Sequence, residues 1–214
     1  TGIKKLFESE SFLLKYDKVL LKDETRKSLL NAWSKETCGA AIYTARPSLP
    51  EEGTAPNYNY SPEAEVAQEA VKLTKLPLIG AGKMGWLAMQ LGVRIDQLTK
   101  PSPVQALAAI AATITRQTGP ALQAAADFHF REKPDFYKSL PPLSIHVFED
   151  SGGNAASVGH TVELLKAAGV QCSYKAWGIG DNPAKQQALL KAGAELVPDV
   201  NQAILGALAF EGLN

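Results

Sequence analysis

Short apolar runs alternate with stretches of helical period along this chain, the pattern of an α/β domain built on a parallel sheet. Leu29, Leu30 and Trp33 fall on one face of a helix beginning near Glu24, with Asp23 placed to cap it. Gly39 to Thr44 then reads as a buried strand, ended by Arg46-Pro47. A polar loop over 47–61 carries Pro47, Pro50 and Pro56, with Tyr58 and Tyr60 among polar residues. Ser61-Pro62-Glu63 starts the next helix, with serine as cap, proline at the first position and acids in the first turn, running to about Lys75. Leu76 to Ile79 reads as a brief strand, and Trp86 to Leu91 as helix. Ser102-Pro103 opens an alanine-rich helix over 104–115, and 120–130 is helical again before Pro134, Pro141 and Pro142.

The last third repeats strand, helix, strand, helix, strand, helix, two successive right-handed crossovers. The strands are Leu143 to Phe148, Gln171 to Trp177, and Ala194 to Val197. Gly169 and Gly193 close the two intervening helices, Asn182-Pro183 starts the second, and Asp199 caps a final helix from Val200. Leu143 to Phe148, rich in β-branched and aromatic residues, is expected at the centre of the sheet. Its expected neighbours are the strand carrying Thr44 and Gln171 to Trp177.

Composition narrows the function classes. Lys plus Arg and Asp plus Glu number 22 each, so the net charge is zero and the basic excess of a general nucleic-acid binder is missing. At 45% apolar the chain has material for a sizeable core, and no internal repeat or low-complexity tract interrupts it. No run approaches the ~20 apolar residues of a membrane span. The opening segment, Thr1 to Phe7, lacks the apolar core of a signal peptide, which gives a cytoplasmic expectation. Cys38 and Cys172 show no zinc spacing and are expected as buried free thiols.

Candidate chemistry sits where parallel strands end. Glu149-Asp150 at the exit of one strand could hold a hard cation such as Mg²⁺; the alternative is that Asp150 caps the next helix and Glu149 is solvated. Lys100-Pro101 precedes a helix start, where a lysine could neutralise a phosphate or a carboxylate; otherwise it is a solvated lysine. Gly80-Ala81-Gly82-Lys83-Met84-Gly85 matches GxGxxG, yet no acid stands at the ribose-binding distance, so a glycine turn of another α/β fold is expected. His129, His146 and His160 have no triad or HExxH spacing, His146 reads as a packed strand histidine, and no GxSxG elbow occurs.

Three of these segments stand in an order that resembles the haloacid dehalogenase superfamily. Ile42 to Pro47 is similar to its second motif, Lys100 to Pro103 to its third, and Val147 to Ala156 to its fourth. The likeness covers roughly residues 24–205, with Gly178 to Asn182 and Gly193-Ala194 resembling the closing strands and a helical insert near 112–142. It implies one domain over 1–214, a Rossmann-like parallel sheet with helices on both faces, and phosphatase-type phosphoryl transfer. By that resemblance Thr44 would bond the phosphoryl oxygens, Lys100 would offset negative charge, and Glu149 and Asp150 would hold Mg²⁺. The family's first motif, which supplies the nucleophile, is absent, and Leu13 to Val19 with its single Asp17 is the nearest run. Residues 1–22 then read as the remnant of a cap or the edge of a truncation.

Three readings follow. The first is a phosphatase-type hydrolase. The second is a non-catalytic binding or regulatory protein on the same scaffold, with Mg²⁺ held weakly or not at all. The third and least favoured is a dinucleotide-binding reductase acting through Gly80 to Gly85. The expected ligand of the first two is a small phosphorylated molecule, or a phosphate or sulfate anion, with neither nucleic acid nor membrane as partner. Thr44, Lys100 and Asp150 should converge on one pocket.

Overall fold

Two-residue and seven-residue strands, each followed by a helix that returns the chain to the same edge, build two small parallel ladders. The computed structural model describes residues 12–35, 37–54 and 60–213, so Thr1 to Phe7, Pro56 and Tyr58 lie outside it. After α1 (Phe12–Tyr16) and α2 (Asp23–Ser34), β1 (Ile42–Tyr43) leads through α3 (Glu63–Ala70) to β2 (Leu78–Ile79). Ile42 pairs with Leu78 and Tyr43 with Ile79. The chain continues as α4 (Ala81–Leu91), a 3-10 turn over Ile95–Gln97, α5 (Pro103–Thr115), α6 (Thr118–Phe130) and the short α7 (Asp135–Lys138). The second ladder is β3 (Leu143–Glu149), α8 (Gly152–Ala167), β4 (Cys172–Gly178), α9 (Pro183–Lys191) and β5 (Glu195–Leu196), closed by α10 (Val200–Phe210).

The α/β class holds, with helices on both faces of the parallel strands. α8 packs on β3 and β4 from one side, and α10 packs on β3 from the other. The placement of β3 differs from expectation. The ladder order is β3-β4-β5, so β4 is the middle strand, and no ladder joins β1 to β3 among the described residues. The apolar content of β3 reflects cover by helices above and below rather than a strand on each side. Val147 is buried among Ala106, Ala155 and Val158, while Phe148 packs on the α10 side with Ile204 and Leu208.

Several boundaries moved for identifiable reasons. β1 is shorter than Gly39 to Thr44 because Gly39 passes the end of α5, where an added Cβ would lie 2.2 Å from the Thr113 carbonyl oxygen. The helix expected to Lys75 stops at Ala70, since buried Gln68 donates to the Leu73 and Leu76 carbonyls and holds a turn there. Asp23 lies inside the first turn of α2, bonded to Arg26, and Ser61 is not the cap of α3. Ser102, Asn182 and Asp199 do cap their helices. Gly169 and Gly193, at φ 89° and 77°, take the left-handed turn that ends α8 and α9.

The segment near 112–142 is the second arm of a helical hairpin. α6 lies along α5, and Leu122 and Ala125 share one apolar cluster with Leu107, Ala111, Ile79 and Leu165. Buried Tyr137 donates to the Leu107 carbonyl at 3.1 Å. The alanines of α5 let α6 and α8 approach closely; α5 also packs on β1 and β2, and its Ala106 reaches Val147 and Ala176 of the second ladder. No helix among the described residues is long and apolar enough to cross a membrane. Cys38 and Cys172 are free and half-buried.

Candidate functional site

Tyr43 ends β1 and Glu149 ends β3, and their side chains meet although the strands do not pair. The Tyr43 hydroxyl donates to Glu149 Oε1 at 2.5 Å. Lys100, in the loop before α5, donates to the same oxygen at 2.8 Å, and its Nζ lies 3.8 Å from the centre of the Tyr43 ring. Asn154, in the first turn of α8, donates to Glu149 Oε2 at 3.2 Å. The loop is pinned from below, since Ser157 of α8 donates to the Pro101 carbonyl at 3.0 Å. The carboxylate is 8% exposed and the ammonium 15%, so this is an ion pair withdrawn from water, with its remaining lone pairs largely answered by neutral donors.

Burial, reinforced by the Glu149 carboxylate, raises the Tyr43 phenol far above its ordinary range, so Tyr43 stays protonated and donates. Tyr174 on β4 is pushed up to about 12, by burial first and then by Glu149. Its hydroxyl donates to the Ala155 carbonyl at 2.7 Å. Both phenols beside Glu149 therefore stay neutral.

Thr44 follows Tyr43 and stands at the same strand exit. Its backbone N–H donates to the Ile79 carbonyl, its own carbonyl accepts from Gln105 Nε2 at 2.9 Å, and its hydroxyl oxygen accepts from the Arg46 N–H at 3.2 Å. Gln105 is fully buried in the first turn of α5 and bonds the Ile79 carbonyl too, leaving its Oε1 without a partner. Of the four residues expected in the site, Lys100 and Glu149 are brought into contact, while Thr44 follows Tyr43 in the chain and its hydroxyl meets the Arg46 N–H. Asp150 turns away from Lys100. Its carboxylate is 68% exposed and lies 3.7 Å from Lys185 Nζ, which also pairs with Asp181 at 3.2 Å. Nor does Asp150 cap α8; Ser151 does, with Oγ 3.5 Å from the Asn154 N–H.

The donor set does not suit Mg²⁺. Glu149 already takes three hydrogen-bond donors, an ammonium stands beside it where a cation would sit, and the neighbouring Asp150 carboxylate is exposed and paired with Lys185. Among the described residues no group of three or more His, Cys, Asp or Glu could hold a metal ion.

The GxGxxG segment opens α4 as a turn closed by the chain's own loop. The Gly82 N–H donates to Ser48 Oγ at 2.9 Å, and an added Cβ at Gly82 would lie 2.0 Å from the Ser48 carbonyl oxygen. Lys83 is buried, bonded to the Pro50 carbonyl at 2.8 Å and 3.4 Å from Glu51, whose carboxylate accepts from Thr118. The close approach these glycines allow is to residues 48–49. His146 is packed on the α10 side, where Nδ1 accepts from Trp177 Nε1 at 3.0 Å, so Nε2 bears the hydrogen directed at Glu211, 2.8 Å away. Ser144 donates to that same carboxylate at 2.6 Å. Because Nε2 must donate, it is no base for Ser144.

Tyr43 and Asn154 are the site residues that sequence reasoning passed over. Tyr43 sits one place before the threonine that drew notice, and Asn154 lies within the small-residue turn after Glu149. Comparison with family models, with curated proteins and with solved structures returns no match.

Proposed function

We propose that this chain binds a small phosphorylated molecule or free phosphate at the exits of β1 and β3, as a binding or regulatory protein rather than a phosphatase. One observation carries the reading: Lys100 is held at the meeting point of two strand exits by Glu149 and the face of Tyr43, one residue from Thr44. Open parallel sheets place ligands at such exits. A lysine fixed there in advance loses little freedom on meeting an anion. The resemblance to the haloacid dehalogenase superfamily points the same way, since it implies that Thr44 bonds phosphoryl oxygens and Lys100 offsets negative charge there.

Turnover would need a carboxylate nucleophile with a bare oxygen facing the phosphorus. Glu149, the carboxylate bonded to Lys100, has Oε1 filled by Tyr43 and Lys100 and Oε2 bonded by Asn154, so neither oxygen is bare. Binding without transfer is therefore the favoured reading. Isothermal titration with inorganic phosphate should give saturable binding that weakens by about tenfold or more in Lys100→Met, with circular dichroism to verify the fold. p-Nitrophenyl phosphate should release no phenol, with or without Mg²⁺. Mg²⁺-dependent release that disappears in Lys100→Met would overturn the proposal in favour of phosphatase chemistry.

A further inference from the structure

We infer that the site selects oxyanions by the hydrogen they carry, accepting hydrogen phosphate and rejecting sulfate, which is bare at the same pH. This rests on the anion-binding reading above and names the class of anion. A carboxylate beside the ammonium of an anion site would at first sight repel the ligand. Counting its acceptor directions gives it a purpose.

Each carboxylate oxygen accepts in two directions. Oε1 of Glu149 uses both, for the Tyr43 hydroxyl and for Lys100. Oε2 uses one, for Asn154. Among the described residues one acceptor direction therefore stays open. Lys100 has three hydrogens; one goes to Glu149 and another side of the ammonium faces the Tyr43 ring, which leaves a donor for a ligand. The open donor and the open acceptor belong to one ion pair whose side chains are 15% and 8% exposed, where water compensates poorly for a mismatch.

Hydrogen phosphate presents both partners, a charged oxygen for Lys100 and a P–O–H for Glu149 Oε2. Sulfate has the same tetrahedral shape but four bare oxygens, so one would face the carboxylate with like charge and no hydrogen between them. Shape cannot separate the two anions here; the proton can. The groups facing Glu149 do not blur this. Tyr43 from β1 and Tyr174 from β4 keep their protons, Asn154 from α8 is neutral, Lys100 is the one cation in contact among the described residues, and neighbouring Asp150 is turned to Lys185 in solvent. A phosphate monoester, with its second ionisation near ~6, would enter as the monoanion that still carries a hydrogen.

Titration of the wild-type protein with potassium phosphate and with potassium sulfate, near neutral pH and at matched ionic strength, tests this directly. Phosphate should bind about tenfold tighter or more. In Glu149→Gln the preference should shrink to about twofold, because the amide then offers a donor to sulfate. Arsenate, protonated like phosphate, and selenate, bare like sulfate, give the same test on the wild-type protein without relying on any variant. Equal affinity for protonated and bare anions, lost in Lys100→Met, would overturn the selectivity while leaving the anion site standing. Failure of all four anions to bind would overturn both.

Discussion

A phenol that donates to a buried carboxylate holds it more strongly than it would a neutral acceptor, and Tyr43 is in that position. Hydrogen bonds to charged groups contribute about 1.5–3 kcal/mol when both partners are shielded from water. Tyr43→Phe keeps the ring under Lys100 and removes the donor, leaving Glu149 with Lys100 and Asn154. The variant should lose about 2 kcal/mol in chemical denaturation. A loss below about 0.5 kcal/mol would mean that the hydroxyl contributes no more than a surface bond. The same residue shows where sequence reading stops. Thr44 and Lys100 were legible as candidates because each stands beside a strong punctuation signal, a strand end or a proline. The bond from Tyr43 to Glu149 joins residues 106 apart, and that from Lys100 to Glu149 spans 49. Nothing local to either partner announces such a pair. Asp150, one residue past the end of β3, pairs with Lys185 of α9, and its place beside Glu149 in the sequence does not announce that partner.

Elements were legible where a cap and a breaker bracket them. Ser102-Pro103, Asn182-Pro183 and Asp199 mark their helices because a side-chain oxygen answers an N–H that the helix leaves open. The turn before α4 carries as clear a signal, and its meaning had to come from packing. Gly80 and Gly82 admit residues 48–49, and Lys83 binds the same loop, so this segment clamps the chain leaving Thr44. Two glycines of one motif then predict opposite outcomes. Gly82→Ala would press a methyl against the Ser48 and Leu49 backbone and should cost roughly 2–3 kcal/mol. Gly85→Ala, inside the helix with its nearest neighbour at 3.6 Å, should stabilise by about 0.5–1 kcal/mol. Thermal unfolding of the pair checks both. Equal effects would show that the clamp does not depend on the close approach at Gly82.

In the whole molecule, the two ladders share their helices more than their strands. α5 packs on β1, β2 and α8, its Ala106 shares a cluster with Val147 and Ala176 of the second ladder, and the Tyr43–Glu149 contact ties the exits. The sequence pattern fixed neither feature in advance, because period and propensity describe what a strand buries and not which strand it lies beside. With positive and negative side chains equal in number, the response of stability to acid depends on individual carboxylates rather than on gross charge. Glu211 is one of them. Bonds from Ser144 and then His146 hold its carboxyl below the ordinary value of 4.5, so folding favours the ionised form. A depressed carboxyl contributes stability that is complete above its unfolded pKa and is lost as pH falls through the folded one. The contact fastens the end of α10 to β3, and Glu211 is about a third exposed, which screens it. Glu211→Gln should therefore cost about 1 kcal/mol near neutral pH, and the gap to wild type should close below pH ~4. Paired urea titrations at the two pH values measure that gap, and a gap that stays constant on acidification would remove Glu211 from the acid response of the fold.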